Sequence, residues 1–317
     1  MSPRMLKLST MLAKLEVTEG TDATPAAADG FFAMVQPPNP KVDVHRVAVH
    51  TGAGSLLPSV VGSRRFEGQA TVLLRGAGTA YSTSVLPKAD SLLRLCGFAG
   101  TLGTGTTGQS YTLRSSGFES FSVYQYVSGV LYKLLGCRGL PVLTFPLGGV
   151  PSLQANLRAL YAAPTDVANV VPTGEPSLGY PVMLASAFQI GTGNFAAKHG
   201  EIKIDFGRTI TPREDATATT GYAGMEMLPD RVPVMTVEAE ATLEGGFPFF
   251  ADLVAGTQLS CSFQAGTTQW NQIKVNIPVA QFEKLEHGEK AGVVTYKATF
   301  ILTSPTGVDN EITITFS

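Results

Sequence analysis

Charged residues are scarce in this chain. Only 15% of its 317 residues are Asp, Glu, Lys or Arg, well below the ~25% that is typical of soluble domains. The formal net charge is −2, so the chain has no overall positive field to recruit nucleic acid or an anionic membrane. A surface with so little charge is typical of a chain that is largely covered by copies of itself.

Residue patterns that perform chemistry are also missing. The three cysteines, Cys96, Cys137 and Cys261, are odd in number and lack metal-ligand spacing, which favours free thiols in a reducing cytoplasm. The four histidines never fall in H-x-x-x-H or H-E-x-x-H spacing, and neither a G-x-S-x-G elbow nor a P-loop lysine occurs. We therefore predict no enzymatic activity, no cofactor and no metal site.

Long apolar runs and a secretion signal are absent as well. No uninterrupted apolar stretch reaches the ~18–20 residues that a membrane-spanning helix needs. The first twenty residues carry lysines and a glutamate through their apolar part and lack a small-residue cleavage site, so the sequence predicts no signal peptide. We expect no association with a membrane.

Two glycine-rich hexads match a dinucleotide-binding fingerprint only in their letters: "GTGTTG" at 103–108 and "GTGNFA" at 191–196. The fingerprint works when a strand precedes the glycines and a helix follows, because the helix N-terminus holds the pyrophosphate. The first hexad is followed by a short threonine- and serine-rich stretch, and the second by a segment that breaks at Gly200 and then alternates. We interpret both as turns without a ligand.

Glycine and proline are abundant, at 34 and 20 residues. They separate many short segments in which apolar and polar residues alternate, which is typical of antiparallel β proteins. The clearest hairpin is "SFSVYQYVSGVLYKLLG", in which Ser128 and Gly129 form the tight turn. The sequence therefore predicts a mainly β fold.

Two short helices interrupt this pattern. "PKADSLLRLCGF" has Pro87 in a first-turn position and Gly97 as its stop. "GGFPFFADLVAGT" has Pro248 and Gly256 at the corresponding places. Each helix follows a similar strand, "FEGQATVLL" at 66–74 and "VEAEATLEG" at 237–245.

The order of elements indicates an internal repeat. A long Gly/Pro/Thr-rich loop, at 50–65 or 208–231, precedes each of the two strands, and a Pro-Thr pair ends each half. We expect two tandem β-sandwich or barrel domains, each with one flanking α-helix, together with an N-terminal arm and long loops. The expected boundaries are an arm at 1–41, domains at 42–166 and 178–317, and a linker at 167–177.

Several stretches resemble a known family. "MLAKLEVTEGTDATP" at 11–25, "LLRLCGF" at 92–98, the hairpin region at 115–139 and "LRALYAAPTD" at 157–166 are similar to tail tube (major tail) proteins of bacteriophages with long non-contractile tails. The resemblance covers most of residues 8–170 and thins in the second half. Its motifs are structural, so it transfers no catalytic residue.

The resemblance implies a structural protein of the virion tail that is assembled in the host bacterial cytoplasm. Such proteins form rings that stack into a hollow tube for DNA ejection. The implied partners are other copies of the chain, the tape measure protein, and the tail terminator and distal tail proteins. DNA would pass through in transit, without specific binding.

Two groups of residues are candidates for functional surfaces. A pore wall that repels the phosphate backbone would be acidic, and an ordinary solvated outer face is the alternative for the same glutamates. The candidate lumen-facing residues are Glu67, Gln69, Glu238, Glu240 and Glu244. The long loops are candidates for contacts between rings, and the residues concerned are His50, Leu57, Arg64, Arg65, Arg208, Arg213 and Arg231.

The sequence leaves alternatives open for the number of chains in a ring and for the functional class of the protein. Two domains per chain favour a trimeric ring with pseudo-sixfold symmetry, and one decorated domain per chain would give a hexamer. Another tail component of related fold, such as a distal tail or tube-initiator protein, is the nearest alternative function. A host-surface or carbohydrate-binding β-sandwich is a further one, although the chain has a single tryptophan, Trp270.

Overall fold

Apolar and polar residues alternate along many of the strands, so that one side of such a strand is buried and the other is exposed. In one of them, every second residue from Leu153 to Ala159 is almost fully buried and the intervening residues are partly exposed, as expected for a sheet with one apolar face. The computed structural model describes residues 5–49, 52–103, 108–184, 188–191, 193–194 and 199–317. Within these ranges the protein is mainly β.

The chain contains twenty strands and two α-helices in the described ranges. The first half comprises β1 (Ser9–Leu15), a 3-10 turn (Ala27–Asp29), β2 (Gly30–Phe31), β3 (Met34–His45), β4 (Val60–Leu73), α1 (Asp90–Leu95), β5 (Phe98–Leu102), β6 (Gln109–Leu113), β7 (Phe121–Val127), β8 (Val130–Phe145), β9 (Ser152–Leu160) and β10 (Thr165–Asp166). The second half comprises β11 (Gln189–Ile190), β12 (Gly193–Asn194), β13 (His199–Asp205), β14 (Ile210–Glu214), β15 (Tyr222–Met227), β16 (Val234–Glu240), α2 (Phe249–Ala255), β17 (Leu259–Ala265), β18 (Ile273–Lys290), β19 (Val293–Thr303) and β20 (Thr313–Phe316).

The order of strand pairing recurs. In the first half, antiparallel pairs run β3-β4-β9-β8-β7. In the second half they run β13-β16-β19-β18-β17. A helix follows β4 in one series and β16 in the other, and the long strands β8 and β18 each pair with a different neighbour at either end.

The two halves are joined by strand pairing. Residues 142–145 of β8 pair with residues 202–205 of β13. The β5-β6 hairpin of the first half pairs through β6 with β20. One continuous antiparallel series of strands therefore runs from β3 through the junction of β8 with β13 to β18, whose first residues also pair with β17 and β20.

Aromatic side chains fill the core on both sides of this junction. Phe98 of the first half meets Phe206 edge-to-face with ring centroids 5.2 Å apart, and Phe145 meets Phe263 at 4.9 Å. Phe98, Phe145 and Phe206 are completely buried. Burying each ring contributes roughly 1.5–3 kcal/mol, so the halves share an apolar core.

Both predicted helices are present. α2 has Pro248 as its N-cap and Gly256 in the left-handed conformation as its C-cap. α1 is followed by Gly97 with a φ of 83°, as its sequence predicts, but it begins only at Asp90 because a turn from Pro87 precedes it. No helix in the described part of the chain is long and apolar enough to cross a membrane.

The predicted turns are also observed. Ser128 and Gly129 both have positive φ, 49° and 85°, which defines a type I′ hairpin turn between β7 and β8. At the first hexad, Gly103 donates to the carbonyl of Gly108 at 2.8 Å between β5 and β6; residues 104–107 lie outside the described ranges. At the second hexad, Gly191 separates β11 from β12, and residues 192 and 195–198 lie outside them. Among the described residues, the elements on either side of each hexad are strands.

The N-terminal region differs from the expected arm. β1 lies between β2 and β7, and its Met11, Leu12 and Ala13 are buried. The expected boundary after residue 41 falls inside β3. These strands belong to the first half because their apolar side chains complete its core.

The two long segments before β4 and β16, which the sequence predicts to be loops, both contain strand residues. β4 begins at Val60, so the end of the first segment is a strand. The second segment contains the β14-β15 hairpin. Tyr222 and Met225 of this hairpin form a small apolar cluster against Leu140 and Leu160, which explains why a polar, glycine-containing stretch becomes ordered strands.

Candidate functional site: the polar face of the sheet

The strand register places many polar side chains on one face. Directly opposed residues of antiparallel strands point to the same side of a sheet. In the first half, Glu67 lies opposite Arg158, and Gln69 lies opposite Asn156. The side-chain amide of Gln69 donates to the side-chain oxygen Oδ1 of Asn156 at 3.0 Å.

The second half has a matching arrangement. Glu238 lies opposite Lys297, which in turn lies opposite Glu286, and Glu240 lies opposite Thr295. The hydroxyl of Thr295 donates to the carboxylate of Glu238 at 3.4 Å. An acid therefore faces a base at the corresponding place in each half.

The junction between the halves continues the same face. Thr144 of β8 lies opposite Lys203 of β13, and Lys203 lies opposite Thr236 of β16. On the other face of these strands, Leu143 and Ile204 are fully buried. The structure thus brings four of the predicted lumen residues onto one polar face, which extends across both halves.

Glu244 does not belong to this face. β16 ends at Glu240, and Glu244 lies in a turn, where its carboxylate accepts the backbone N–H of Phe250 at 3.3 Å. This position near the start of α2 suits a negative charge. The alternation that placed Glu244 on the strand face does not continue through this turn.

The charge on the polar face is mixed. Glu67 forms ion pairs with Arg65 at 3.3 Å and with Lys41 at 3.9 Å. Shallow grooves follow the face in both halves, one lined by Glu67 and Arg158 and the other by Glu238 and Lys297. This face therefore carries mixed charge, because cations oppose its carboxylates.

The predicted ring-contact residues occupy two kinds of environment. Leu57 and Arg213 are exposed, whereas Arg64 lies over the Tyr161 ring at 5.3 Å. Arg65 donates to the Tyr222 hydroxyl at 3.2 Å. His50 lies outside the described residues.

Arg208 and Arg231 are held inside the chain. Arg208 donates to the backbone carbonyls of Arg114 at 2.7 Å and Gly97 at 3.5 Å. Burial, followed by repulsion from Arg231, lowers the pKa of Arg208 to about 10. Arg231 forms ion pairs with Asp309 and Glu311 at 2.7 and 2.8 Å. Arg231 also donates to the Arg114 carbonyl at 3.0 Å, so both arginines link second-half segments to the first half of the same chain.

The strand register shows a repeated motif that the sequence analysis missed. Residues 41–46 read K-V-D-V-H-R and residues 203–208 read K-I-D-F-G-R. The two lysines occupy corresponding positions in the register. Lys41 lies opposite Arg65, two residues before Glu67. Lys203 lies opposite Thr236, two residues before Glu238. We call these two stretches the first and second KxD segments.

Other groups that could carry chemistry serve packing. Cys96, Cys137 and Cys261 are free and buried, and burial raises the pKa of Cys261 to about 12 and the pKa values of the other two thiols as well. Among the described residues, no three His, Cys, Asp or Glu side chains gather as a metal site would require. The polar face and the sheet edges are what remain as functional surfaces.

The chain matches no family model and no curated protein sequence.

Proposed function

We propose that this chain is the structural subunit of a phage tail tube, which self-assembles into stacked rings around a channel for DNA. The observation that carries the proposal is the repeated strand order within one continuous sheet. A sheet built from two like units, already joined edge to edge inside one chain, is a segment of a larger closed wall.

The two ends of the sheet support closure. In the described part of the chain, β3 pairs only with β4, and residues 281–290 of β18 pair only with β19. Exposed strand edges pair readily with other chains, and closure of a sheet into a ring removes such edges. The low fraction of charged residues, 15%, suits a chain whose surface is largely interface.

Three chains would form each ring. The first half, including β1 to β3, and the second half at 178–317 would each supply one wall unit, which gives pseudo-sixfold symmetry from three copies. The polar face would line the channel, and its opposed acids and bases would give DNA in transit no basic track to adhere to. The tape measure, terminator and distal tail proteins are the partners expected inside the tube and at its ends.

Native mass spectrometry and negative-stain microscopy of the purified protein test the proposal. Rings of three chains have a mass of about 100 kDa, three times 33.4 kDa, and stack into tubes. Rings of about 200 kDa, six times the same mass, would refute the trimeric ring but would remain consistent with a tube subunit. Particles that remain at 33.4 kDa under all assembly conditions would refute the function.

The same images separate the alternatives. A distal tail or tube-initiator protein would give single rings that do not stack. A carbohydrate-binding sandwich would give monomers and would need an exposed aromatic platform, whereas Trp270 is half-buried and packs edge-to-face on Tyr81 at 5.9 Å. The tube subunit is the function that the sheet geometry supports best.

A further inference from the structure

The two KxD segments have similar sequences and opposite environments. In the second segment, Ile204 and Phe206 are 0% exposed and Arg208 is 6% exposed. In the first segment, Val42 is 38% and Val44 57% exposed, and the arginine that ends it is exposed too. Side chains that are buried in one copy of the motif are thus uncovered in the other.

The first half of the chain is what covers the second segment. β13 pairs with β8, and Phe206 packs on Phe98. Arg208 reaches the carbonyl of Gly97, the left-handed glycine that follows α1. We call the C-terminal end of α1 at Gly97, together with residues 142–145 at the edge of β8, the α1 seat.

The second half contains a similar helix end, at which the Gly256 carbonyl accepts the Gln281 side-chain amide at 2.9 Å. Gly256 ends α2 in the left-handed conformation, as Gly97 follows α1. Val254, two residues before Gly256, is 87% exposed. The adjoining edge of β18, residues 281–290, pairs with no other strand on its outer side within the described ranges. We call this surface the α2 seat.

The α2 seat also lacks the cation that the α1 seat has. The last turn of α1 carries Arg94, whereas the last turn of α2 carries no basic residue. A cation at a helix C-terminus is stabilised by the carbonyls there. The seat thus offers an exposed valine beside backbone carbonyls that suit an arginine, and the first KxD segment presents exposed valines and an arginine.

We propose that the first KxD segment of one copy docks on the α2 seat of a second copy. This contact repeats between chains the one that the second KxD segment makes with the α1 seat within a chain. Val42 and Val44 cover Val254, and Arg46 reaches the C-terminal carbonyls of α2. The inference rests on the proposed tube function, and it names the interface that closes the ring.

The prolines of β3 limit where pairing with β18 can occur. Pro37, Pro38 and Pro40 have no backbone N–H to donate, so pairing of β3 with another sheet is disfavoured at residues 37–40 and favoured from Lys41 onward. The remaining stretch to His45 is short, like the four-residue pairing of β8 with β13.

Cross-linking of two cysteine variants tests the contact directly. Arg46→Cys and Val254→Cys are prepared separately, mixed under assembly conditions and treated with a short bismaleimide. The native thiols are buried and do not compete. We expect covalent dimers in the mixture and none with either variant alone. Dimers from one variant alone at the same yield, or rings without cross-links in the mixture, would overturn the proposal.

A pair of charge substitutions tests the energetics. Val42→Asp with Val44→Asp should leave the thermal midpoint of the single chain unchanged and reduce rings to 33.4 kDa chains. The control is Val167→Asp with Val171→Asp, since these valines are also exposed, at 41% and 68%. Rings from the first variant, or equal loss from the control, would refute the interface.

The two hypotheses fail in different ways. If the wild-type chain forms no rings, the proposed tube function fails. If rings form from the wild type and also from the Val42→Asp, Val44→Asp variant, only the docking inference fails.

Discussion

At the residue scale, one carboxylate near the N-terminus shows how a polar group is retained in this low-charge protein. Asp22 accepts hydrogen bonds from the Tyr124 hydroxyl at 2.7 and 2.6 Å and from the Lys133 ammonium at 2.9 Å. Burial acts to raise its pKa, but the hydrogen bonds from Tyr124 and Lys133 outweigh it, so the pKa lies below 3.8. The ionised form is the one that stabilises the fold.

Asp22→Asn should therefore reduce stability in a pH-dependent way. Above pH 3.8 we expect a loss of roughly 1.5–3 kcal/mol in the free energy of unfolding, the usual size for hydrogen bonds to a charged group. The difference from wild type should shrink as the pH falls through the lowered folded-state pKa, since wild-type Asp22 is then protonated. Urea unfolding between pH 7 and pH 2 measures it.

The exposed Asp230 supplies the control for this prediction. Asp230→Asn should change stability by less than about 0.5 kcal/mol at every pH. An Asp22→Asn difference that stays constant down to pH 2 would contradict the assigned role.

At the scale of elements, the β7-β8 turn allows the energetic cost of a left-handed backbone conformation to be measured separately from side-chain contacts. Gly129 has a φ of 85°, and a Cβ placed on it would meet no atom within 4 Å. Gly129→Ala should therefore destabilise the protein by about 1 kcal/mol through the left-handed conformation alone. Thermal or urea unfolding measures the change.

Gly54 offers the matched position, because a Cβ there also meets open space and its φ is not in the left-handed region. Gly54→Ala should leave stability unchanged or slightly raised. Equal effects at both positions would show that the type I′ turn is not the cause.

The helices and the β7-β8 hairpin could be predicted because their signals are local. Gly97, Gly256 and the Ser128-Gly129 pair act within a few residues of the elements they end or connect. The β14-β15 hairpin could not be predicted in this way, since it depends on Leu140 and Leu160, which lie far away in the sequence. β1 was missed for the same reason: its pairing partners lie elsewhere in the chain.

The polar face could be predicted in part. Alternation correctly grouped Glu67 with Gln69 and Glu238 with Glu240, but no strand supports Glu244. Sequence alignment could not reveal the opposed cations, because Arg158 and Lys297 reach the face from other strands. The KxD repeat was missed because the β13-β16 connection is longer than the β3-β4 connection, so one ungapped alignment cannot match both pairs of strands.

At the scale of the whole molecule, the charge of the polar face predicts how the proposed tube would interact with DNA. Glu238→Lys with Glu240→Lys should leave folding intact, since both side chains point away from the core. The resulting basic strip should make purified tubes bind DNA with an affinity that falls steeply with salt. Phage carrying it should eject DNA poorly.

Asp166→Lys with Asp230→Lys adds the same charge at other exposed positions and is the control. It should leave DNA binding by tubes and ejection at the wild-type level. Normal ejection by the Glu238→Lys, Glu240→Lys variant would place the polar face outside the channel.

Stacking of rings should depend on the connection between β3 and β4. Leu56 and Leu57 are exposed there, at 69% and 44%, and neither supports a strand. Leu56→Ser with Leu57→Ser should give rings of normal mass that do not elongate into tubes, as seen by negative stain. Val167→Ser with Val171→Ser is the control, and tubes of normal length from the leucine variant would contradict the assignment.

The pairing of β8 with β13 has a consequence for how rings nucleate. In the proposed wall, every second lateral joint forms when a chain folds, at an effective concentration set by the connecting chain and independent of dilution. A closed ring then needs two bimolecular encounters and one closure, where six separate units would need five encounters. Ring formation should consequently persist at low subunit concentration, early in an infection, when a wall of single-domain subunits would still be dissociated.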